Sequence, residues 1–222
     1  MERGWLVSKI ESMVNDERNE LLIANRRLLV EMARRRVRPG SGSSRQFLLR
    51  RTAMQQWPDL RSILADIPWV IVGGVATRAY MPERATQALD ILVREQDGEQ
   101  VRQQLERAGY QFQTHLGIAG YLLCTPDQVE IDVLLGHEAW VEEALAKPEV
   151  DPAGYPVSAL PYLVLMKMAA SRGQDIGDLS IMLGLADNES LSRVRQTVAR
   201  YAPADSDDLE SLIFIGRQQL TG

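Results

Sequence analysis

The sequence predicts an α/β (α+β) chain in which a small mixed sheet is flanked by helices. Four segments have strand character: the apolar run 69–72, the alternating segment 88–94, and the segments 121–124 and 129–135. Helical periodicity dominates before and after them. We therefore expect an arginine-rich helical arm at 1–66, a core at 67–157 and a helical C-terminal region at 158–222.

The arm is expected to form a helix over 4–36, because apolar residues such as Leu6, Ile10 and Leu28 recur at helical spacing. The run 39–44 contains Pro39, Gly40 and four residues of the Ser/Gly type, which predicts a loop or linker. A second helical stretch is expected at about 45–65. The arm is either a separate module or an oligomerisation element.

Within the core, the apolar run 69–72 ends in Gly73-Gly74, and a helix is expected to start soon after it. Asp97 and Gln100 have the spacing of a capping box and predict a helix that ends at Gly109. In the C-terminal region, Ser158 is a candidate N-cap and Gly173 a candidate stop. Further helices are expected at about 174–184, 188–201 and 206–219.

Charge is distributed unevenly along the 222 residues, which carry a net charge of −5. Residues 1–66 contain 13 Lys/Arg against 8 Asp/Glu, whereas residues 67–222 contain 12 against 22. Such an arginine-rich segment either contacts the phosphates of a nucleic acid or forms a solvated face that complements the acidic remainder. The arginines concerned are Arg26, Arg27, Arg34, Arg35, Arg36, Arg38, Arg45, Arg50 and Arg51.

Several protein classes are disfavoured by the sequence. It contains neither an apolar run long enough to cross a bilayer nor an apolar stretch typical of a signal peptide near its start, so we expect a cytoplasmic protein. Cys124 is the single cysteine and excludes an intrachain disulfide; its apolar surroundings favour a small buried side chain over a nucleophile. His115 and His137 have no zinc-ligand spacing with each other or with Cys124.

Two acidic residues on otherwise apolar strands call for a physical explanation. Asp90 lies in the segment 88–94, and Asp132 lies in the segment 129–135. A buried carboxylate is costly unless it is paired or binds a cation. Either these acids form ion pairs at the edge of a strand, or they bind a metal.

The order of these features resembles the minimal nucleotidyltransferases of the polymerase-beta-like superfamily, close to the AbiEii-type toxin group. That family has an apolar strand, Gly-Gly, a short helix, Arg-x-Thr, two strand acids at i and i+2, a third acid on a later strand, and a helix with a Lys-x-x-Ala-x-Arg-x-x-Asp-x-x-Asp motif. The resemblance covers about residues 67–185, and residues 1–66 fall outside it. The matching residues are Gly73, Gly74, Arg78, Arg84, Thr86, Asp90, Asp132, Lys167, Ala170, Arg172, Asp175 and Asp178.

The resemblance implies a nucleotidyltransferase fold and the transfer of a nucleoside monophosphate from a nucleoside triphosphate. It implies that Asp90 and Asp132 bind Mg²⁺, with two ions in an intact site, and that Asp132 orients or deprotonates the acceptor. The acceptor would be RNA, especially tRNA, or a protein, in a toxin–antitoxin or phage-defence setting with an antitoxin partner. The nucleotide would be bound by Gly73, Gly74, Arg78, Arg84, Thr86, Lys167 and Asp175.

Ala88 departs from this pattern, because it occupies the position of the first metal-binding aspartate. An alanine methyl group cannot coordinate Mg²⁺, so we expect an inactive or impaired enzyme. Ala88 is either an engineered replacement or a natural loss, and we favour the first because the other motif residues are intact. Glu130 faces the same way as Asp132, but we do not expect it to compensate.

Some of these roles have structural alternatives. Lys167 either contacts the triphosphate or extends from an apolar helix to solvent. Arg78 and Arg84 either assist phosphates or pair with acids, whereas Asp175 and Asp178 either orient Lys167 or Arg172 or form ordinary ion pairs. At the level of the whole chain, the alternatives are a non-catalytic binding protein with this fold and a nucleotidyltransferase that modifies a small molecule such as an antibiotic.

Overall fold

The computed structural model of the chain describes residues 2–41, 57–82 and 86–220, and within the first helix it describes the side chains from Arg18 onward. The predictions for Arg84, for Arg45, Arg50 and Arg51, and for a helix over 45–56 therefore lie outside the described residues.

The centre of the fold is a seven-stranded sheet with the order β3-β4-β5-β2-β1-β7-β6. Strand β2 pairs in parallel with β5, and β1 pairs in parallel with β7, whereas the other neighbours are antiparallel. The predicted α/β class with a mixed sheet is therefore confirmed. The strands are β1 (Val70–Ile71), β2 (Ala88–Arg94), β3 (Gln111–His115), β4 (Gly120–Cys124), β5 (Glu130–Gly136), β6 (Glu149–Val150) and β7 (Pro156–Val157).

The helices lie before, between and after these strands, and no helix in the described part of the chain is long and apolar enough to cross a membrane. Short 3₁₀ turns occupy Thr77–Ala79, Glu95–Asp97 and Pro203–Asp205. The α-helices of the described residues are α1 (Glu2–Arg36), α2 (Gly73–Ala76), α3 (Gly98–Arg107), α4 (Val141–Ala146), α5 (Leu160–Ala170), α6 (Gly173–Leu185), α7 (Asn188–Tyr201) and α8 (Ser206–Leu220).

Four helix predictions were wrong in detail. Asp97 precedes α3 without a side-chain capping hydrogen bond, and Ala159 instead of Ser158 is the N-cap of α5. Residues 57–67 form turns and irregular backbone instead of the end of a helix, and they bury Trp57, Leu60 and Leu64 in the core. Gly173 begins α6 instead of ending α5. The residue that ends α5 is Ser171, which adopts the left-handed conformation with φ of 54°.

The sheet buries apolar side chains on both faces. Leu89, Ile91 and Val93 of β2 belong to the main core together with residues of helices α3 and α5 to α8. Leu92, on the opposite face, packs in a smaller cluster with Val72 and with Val141 of α4. Asp90 lies on the same face as Leu92, because side chains alternate along a strand.

Helix α1 packs against the C-terminal helices through its described second half. Val30 is buried in the main core. Arg26 is 1% exposed and donates hydrogen bonds to Asp208 (Nε to Oδ2, 2.9 Å) and to the carbonyl oxygen of Met168 at the end of α5 (2.7 Å). It also pairs with Asp205. Arg26, one of the arginines of the predicted arginine-rich segment, is thus buried and paired with acids of the C-terminal region.

Candidate active site

Asp90 and Asp132 lie side by side on neighbouring strands. The parallel register of β2 and β5 pairs Ala88 with Glu130, Leu89 with Ile131, and Asp90 with Asp132. The Asp90 side chain forms a hydrogen bond with the Asp132 side chain. The two acids that the sequence placed 42 positions apart are therefore brought together in the sheet.

The Gly73-Gly74 turn holds the Asp90 carboxyl group. Gly73 has φ of +62°, and a Cβ atom on it would lie 2.0 Å from Asp90 Oδ2, so this position requires glycine on two counts. The backbone N–H of Gly74 donates a hydrogen bond to the Asp90 carboxylate. The N–H of Val72 donates to the Asp90 carbonyl oxygen at 2.9 Å. The turn thus fixes the acid in place, and its predicted contact with phosphates stays a prediction.

Both acids bind protons more tightly than usual. Burial, and next the charge of Asp132, raise the pKa of Asp90 to about 6, although the Gly74 N–H, Arg172 and Lys167 act in the opposite direction. Burial and then the charge of Glu130 raise the pKa of Asp132. Without a cation between them, two neighbouring carboxylates repel each other. A divalent ion would relieve that repulsion.

The position at which the sequence pattern predicts the first metal-binding aspartate is occupied by the methyl group of Ala88, which is partly buried. Its register partner, Glu130, is exposed. Among the described residues no three His, Cys, Asp or Glu side chains lie close enough together, as they stand, to hold a metal ion. The paired carboxylates are nevertheless suitable ligands for Mg²⁺, which commonly binds one or two carboxylates and completes its shell with water and substrate phosphates.

Lys167 is not directed to solvent. It is 3% exposed, and its Nζ donates to Asp175 Oδ1 at 3.0 Å and to Asp178 Oδ2 at 2.7 Å. Its positive charge still acts on Asp90. The arrangement matches the alternative in which Asp175 and Asp178 orient Lys167, and it argues against the alternative of an extended, solvent-directed lysine.

Arg172 is the exposed cation of this cluster. Its Nε donates to Asp175 Oδ2 at 2.7 Å, while 72% of its side chain remains accessible. Its charge also lowers the proton affinity of Asp90. Burial raises the pKa of Asp175, but the hydrogen bond from Arg172 and the charge of Lys167 outweigh burial, so the net change is a lowered pKa. The sequence motif includes Arg172, but it did not predict that Arg172 binds a ligand.

The other predicted nucleotide-binding residues are less directly placed. Arg78 is 4% exposed, pairs with Asp151 and lies 5.4 Å from the centre of the Tyr155 ring, which favours the alternative of pairing with an acid. Thr86 Oγ1 lies 3.4 Å from the Ala88 carbonyl oxygen, at the start of β2. Arg84 lies outside the described residues.

No protein-family model and no curated protein matches this chain. Among solved structures, two of ANT(2'')-Ia are similar: one is described as an antibiotic-resistance factor (15% identity, TM-score 0.41), the other as a complex with adenylyl-2''-tobramycin (16%, 0.39). Each alignment covers 72% of this chain, and 90% and 95% of the respective ANT(2'')-Ia chains. The lincomycin-bound lincosamide antibiotic adenylyltransferase LnuA is 13% identical, with 60% and 87% coverage and a TM-score of 0.35. These values describe distant similarity and identify no substrate of this chain.

Proposed function

We propose that this chain is a metal-dependent nucleotidyltransferase that moves a nucleoside monophosphate from a nucleoside triphosphate onto an acceptor hydroxyl or similar group and releases pyrophosphate. The observation that supports it most is the pairing of Asp90 with Asp132 under the Gly73-Gly74 turn, next to Arg172. Two partly buried acids whose pKa values are both raised, mainly by burial, cost stability, and a catalytic or binding role would account for that cost.

In this proposal Asp90 and Asp132 hold Mg²⁺ through carboxylate oxygens, as the chemistry of this donor pair permits. When bound, Mg²⁺ neutralises the charge that develops on the phosphate oxygens during transfer. Asp132, whose pKa is raised by burial and by Glu130, accepts the proton of the acceptor more readily than an ordinary aspartate would.

Arg172, with its accessible guanidinium group, contacts the triphosphate in this proposal. Lys167 serves a different purpose, since both of its described hydrogen bonds go to Asp175 and Asp178. It anchors Asp175, which in turn holds Arg172. In this proposal Arg172 binds phosphate, whereas Lys167 positions Arg172 through Asp175.

For the acceptor, we propose RNA that is contacted by the exposed arginines at the end of α1. Arg34, Arg36 and Arg38 are exposed, whereas Arg35 pairs with Glu31 at 2.7 Å. The antitoxin partner, the cytoplasmic location and the choice of tRNA stay predictions of the resemblance and of the composition. A small-molecule acceptor is the alternative, and it requires no basic surface.

The test compares the chain as it stands with its Ala88→Asp variant and with Asp90→Asn versions of both. Each is incubated with Mg²⁺, the four radiolabelled nucleoside triphosphates, and either total cellular RNA or a panel of hydroxyl- and amine-bearing small molecules. We expect labelled RNA with Ala88→Asp and none with either Asp90→Asn version. Label on the small molecules alone would favour the alternative acceptor. Label with none of the four proteins would favour a non-catalytic binding protein.

A further inference from the structure

The four positions 88, 90, 130 and 132 form a rectangle on one face of the sheet. Ala88 and Asp90 are two residues apart on β2, and Glu130 and Asp132 are two residues apart on β5. The register pairs Ala88 with Glu130 and Asp90 with Asp132. Side chains at i and i+2, and at register partners, face the same side. The corner without a carboxylate therefore adjoins a corner that has one.

The Glu130 side chain is long enough to extend toward the position of Ala88, and no described ion pair or hydrogen bond holds it elsewhere. Neighbouring strands lie about 4.8 Å apart, and glutamate carries one more methylene than aspartate. Glu130 is exposed, and no described residue forms an ion pair or hydrogen bond with its side chain. On its other side its register partner is Cys124, a small residue. A change of rotamer toward Ala88 meets a methyl group instead of a competing acid.

Electrostatic coupling already links Glu130 to the pair, since its charge acts on Asp132. We propose that Glu130 supplies the carboxylate that Ala88 cannot, so that Asp90, Asp132 and Glu130 together bind the divalent cation. The inference rests on the proposed metal-dependent function and concerns its ligand set. It replaces the expectation, drawn from the sequence, that Glu130 does not compensate for the acid missing at Ala88.

The experiment measures Mn²⁺ binding to the full chain by electron paramagnetic resonance and calorimetry, without nucleotide. The variants are Glu130→Gln, Glu130→Asp, Ala88→Asp, Ala88→Asp with Glu130→Gln, and Asp90→Asn. Asp127→Asn is the matched control, because Asp127 is an exposed acid three positions from Glu130 and its replacement removes the same charge. All replaced side chains except Ala88 and Asp90 are exposed, so the variants are expected to fold.

We expect Glu130→Gln and Glu130→Asp to weaken Mn²⁺ binding by roughly 10- to 100-fold, while Asp127→Asn leaves it unchanged. Adding Ala88→Asp to Glu130→Gln should restore binding, since an acid returns to the rectangle. Equal binding by Glu130→Gln and the unmodified chain would overturn the role of Glu130 alone, provided that Asp90→Asn still abolishes binding. If Asp90→Asn also binds normally, the metal site of the proposed function fails as well.

Discussion

The ionised carboxylate of Asp90 destabilises this fold when no cation is bound. It lies on a strand whose neighbours Leu89 and Ile91 are fully buried, and its carboxyl group fills the space beside the bare Cα of Gly73. Burial and the adjacent Asp132 both oppose its ionisation. The hydrogen bond from Gly74 and the charges of Arg172 and Lys167 do not offset these two effects, because the net change in pKa is upward. The ionised Asp90 therefore lowers the stability of the metal-free fold.

The first prediction is that Asp90→Asn stabilises the metal-free protein at neutral pH. The pKa of Asp90 is about 6 in the folded chain against 3.8 as the ordinary value. Well below pH 3.8 the group is protonated in both states and resembles asparagine. As the pH rises toward 6 the unfolded chain releases its proton first, so the unmodified protein loses stability relative to Asp90→Asn.

We expect the difference in free energy of unfolding to grow to about 1–3 kcal/mol at pH 7.5. Urea denaturation in a chelator at pH 4, 5, 6 and 7.5 measures it. Asp127→Asn, an exposed change of the same kind, should show little difference at any pH. A constant gap between Asp90→Asn and the unmodified chain over this range would contradict the argument.

At the scale of elements, the corner between α5 and α6 joins the buried and exposed parts of the cluster. Ser171 ends α5 in the left-handed conformation, and Arg172 then caps α6, with its backbone N–H directed at Asp175. Lys167 lies on α5, and its partners Asp175 and Asp178 lie on α6. These ion pairs between α5 and α6 therefore hold Arg172 in position at the turn between the two helices.

The second prediction separates Lys167 from Arg172. Lys167→Met should reduce the free energy of unfolding by about 3–5 kcal/mol, because it removes the buried cation that Asp175 and Asp178 share. Arg172→Ala should cost less than about 1 kcal/mol, since its side chain is 72% exposed. In contrast, Arg172→Ala should weaken nucleotide binding by about tenfold or more, as expected when a charged hydrogen bond to phosphate is lost.

Urea denaturation and calorimetric titration with a non-hydrolysable nucleoside triphosphate measure the two effects. Arg195→Ala is the matched control: Arg195 is an exposed arginine on α7 that pairs with Glu210 at 2.6 Å. It should change neither quantity appreciably. If Arg172→Ala binds nucleotide as tightly as Arg195→Ala, Arg172 has no role in phosphate binding.

The elements that could be predicted from sequence are those whose pattern is local. Strands β2 and β5 alternate around their acids, as Leu89-Asp90-Ile91 and Ile131-Asp132-Val133, and α7 spans the predicted 188–201. The two-residue strands β6 and β7 have too few residues for a pattern, and β3 is polar and largely exposed. Strand register is a long-range property, so the pairing of Ala88 with Glu130 could not be read from spacing.

For the candidate site, too, the features that could be predicted from the sequence are those with a local pattern. Asp90 and Asp132 were found because acids are conspicuous on apolar strands. The pairing of Lys167 with Asp175 and Asp178 was one of the predicted alternatives, whereas the acid that pairs with Arg78, Asp151, lies 73 positions away and could not be named from the sequence. Sequence order identifies a charged residue, but its exposure is decided by tertiary packing.

At the scale of the whole molecule, the described second half of α1 and the C-terminal helices pack together around Arg26. This residue connects α1 to the end of α5 and to the start of α8. The third prediction is that Arg26→Ala reduces the free energy of unfolding by about 3–5 kcal/mol, because Asp208 and Asp205 lose a buried partner. Arg27→Ala, one position along and 58% exposed, should cost less than about 1 kcal/mol. Similar losses in both variants would contradict a structural role specific to Arg26.

The last prediction concerns three exposed arginines at the end of α1 and just after it. Arg34, Arg36 and Arg38 lie at the end of α1 and just after it, and Arg34 stacks over the Phe214 ring at 5.8 Å. If they contact phosphates, replacing all three with glutamine should weaken binding to single-stranded RNA and should reduce the slope of log affinity against log salt by up to about 2, at about 0.7 per contact.

Fluorescence anisotropy with labelled RNA between 50 and 200 mM salt, on the order of the range in which such contacts are lost, measures the slope. The control replaces three exposed arginines elsewhere, Arg107, Arg193 and Arg195, and removes the same charge. A general charge effect would lower affinity equally in both triple variants. A loss confined to the arm would locate the RNA contact at the end of α1, on the helix that Arg26 fastens to the α5–α6 corner. Unchanged binding in both variants would leave the small-molecule acceptor as the better explanation.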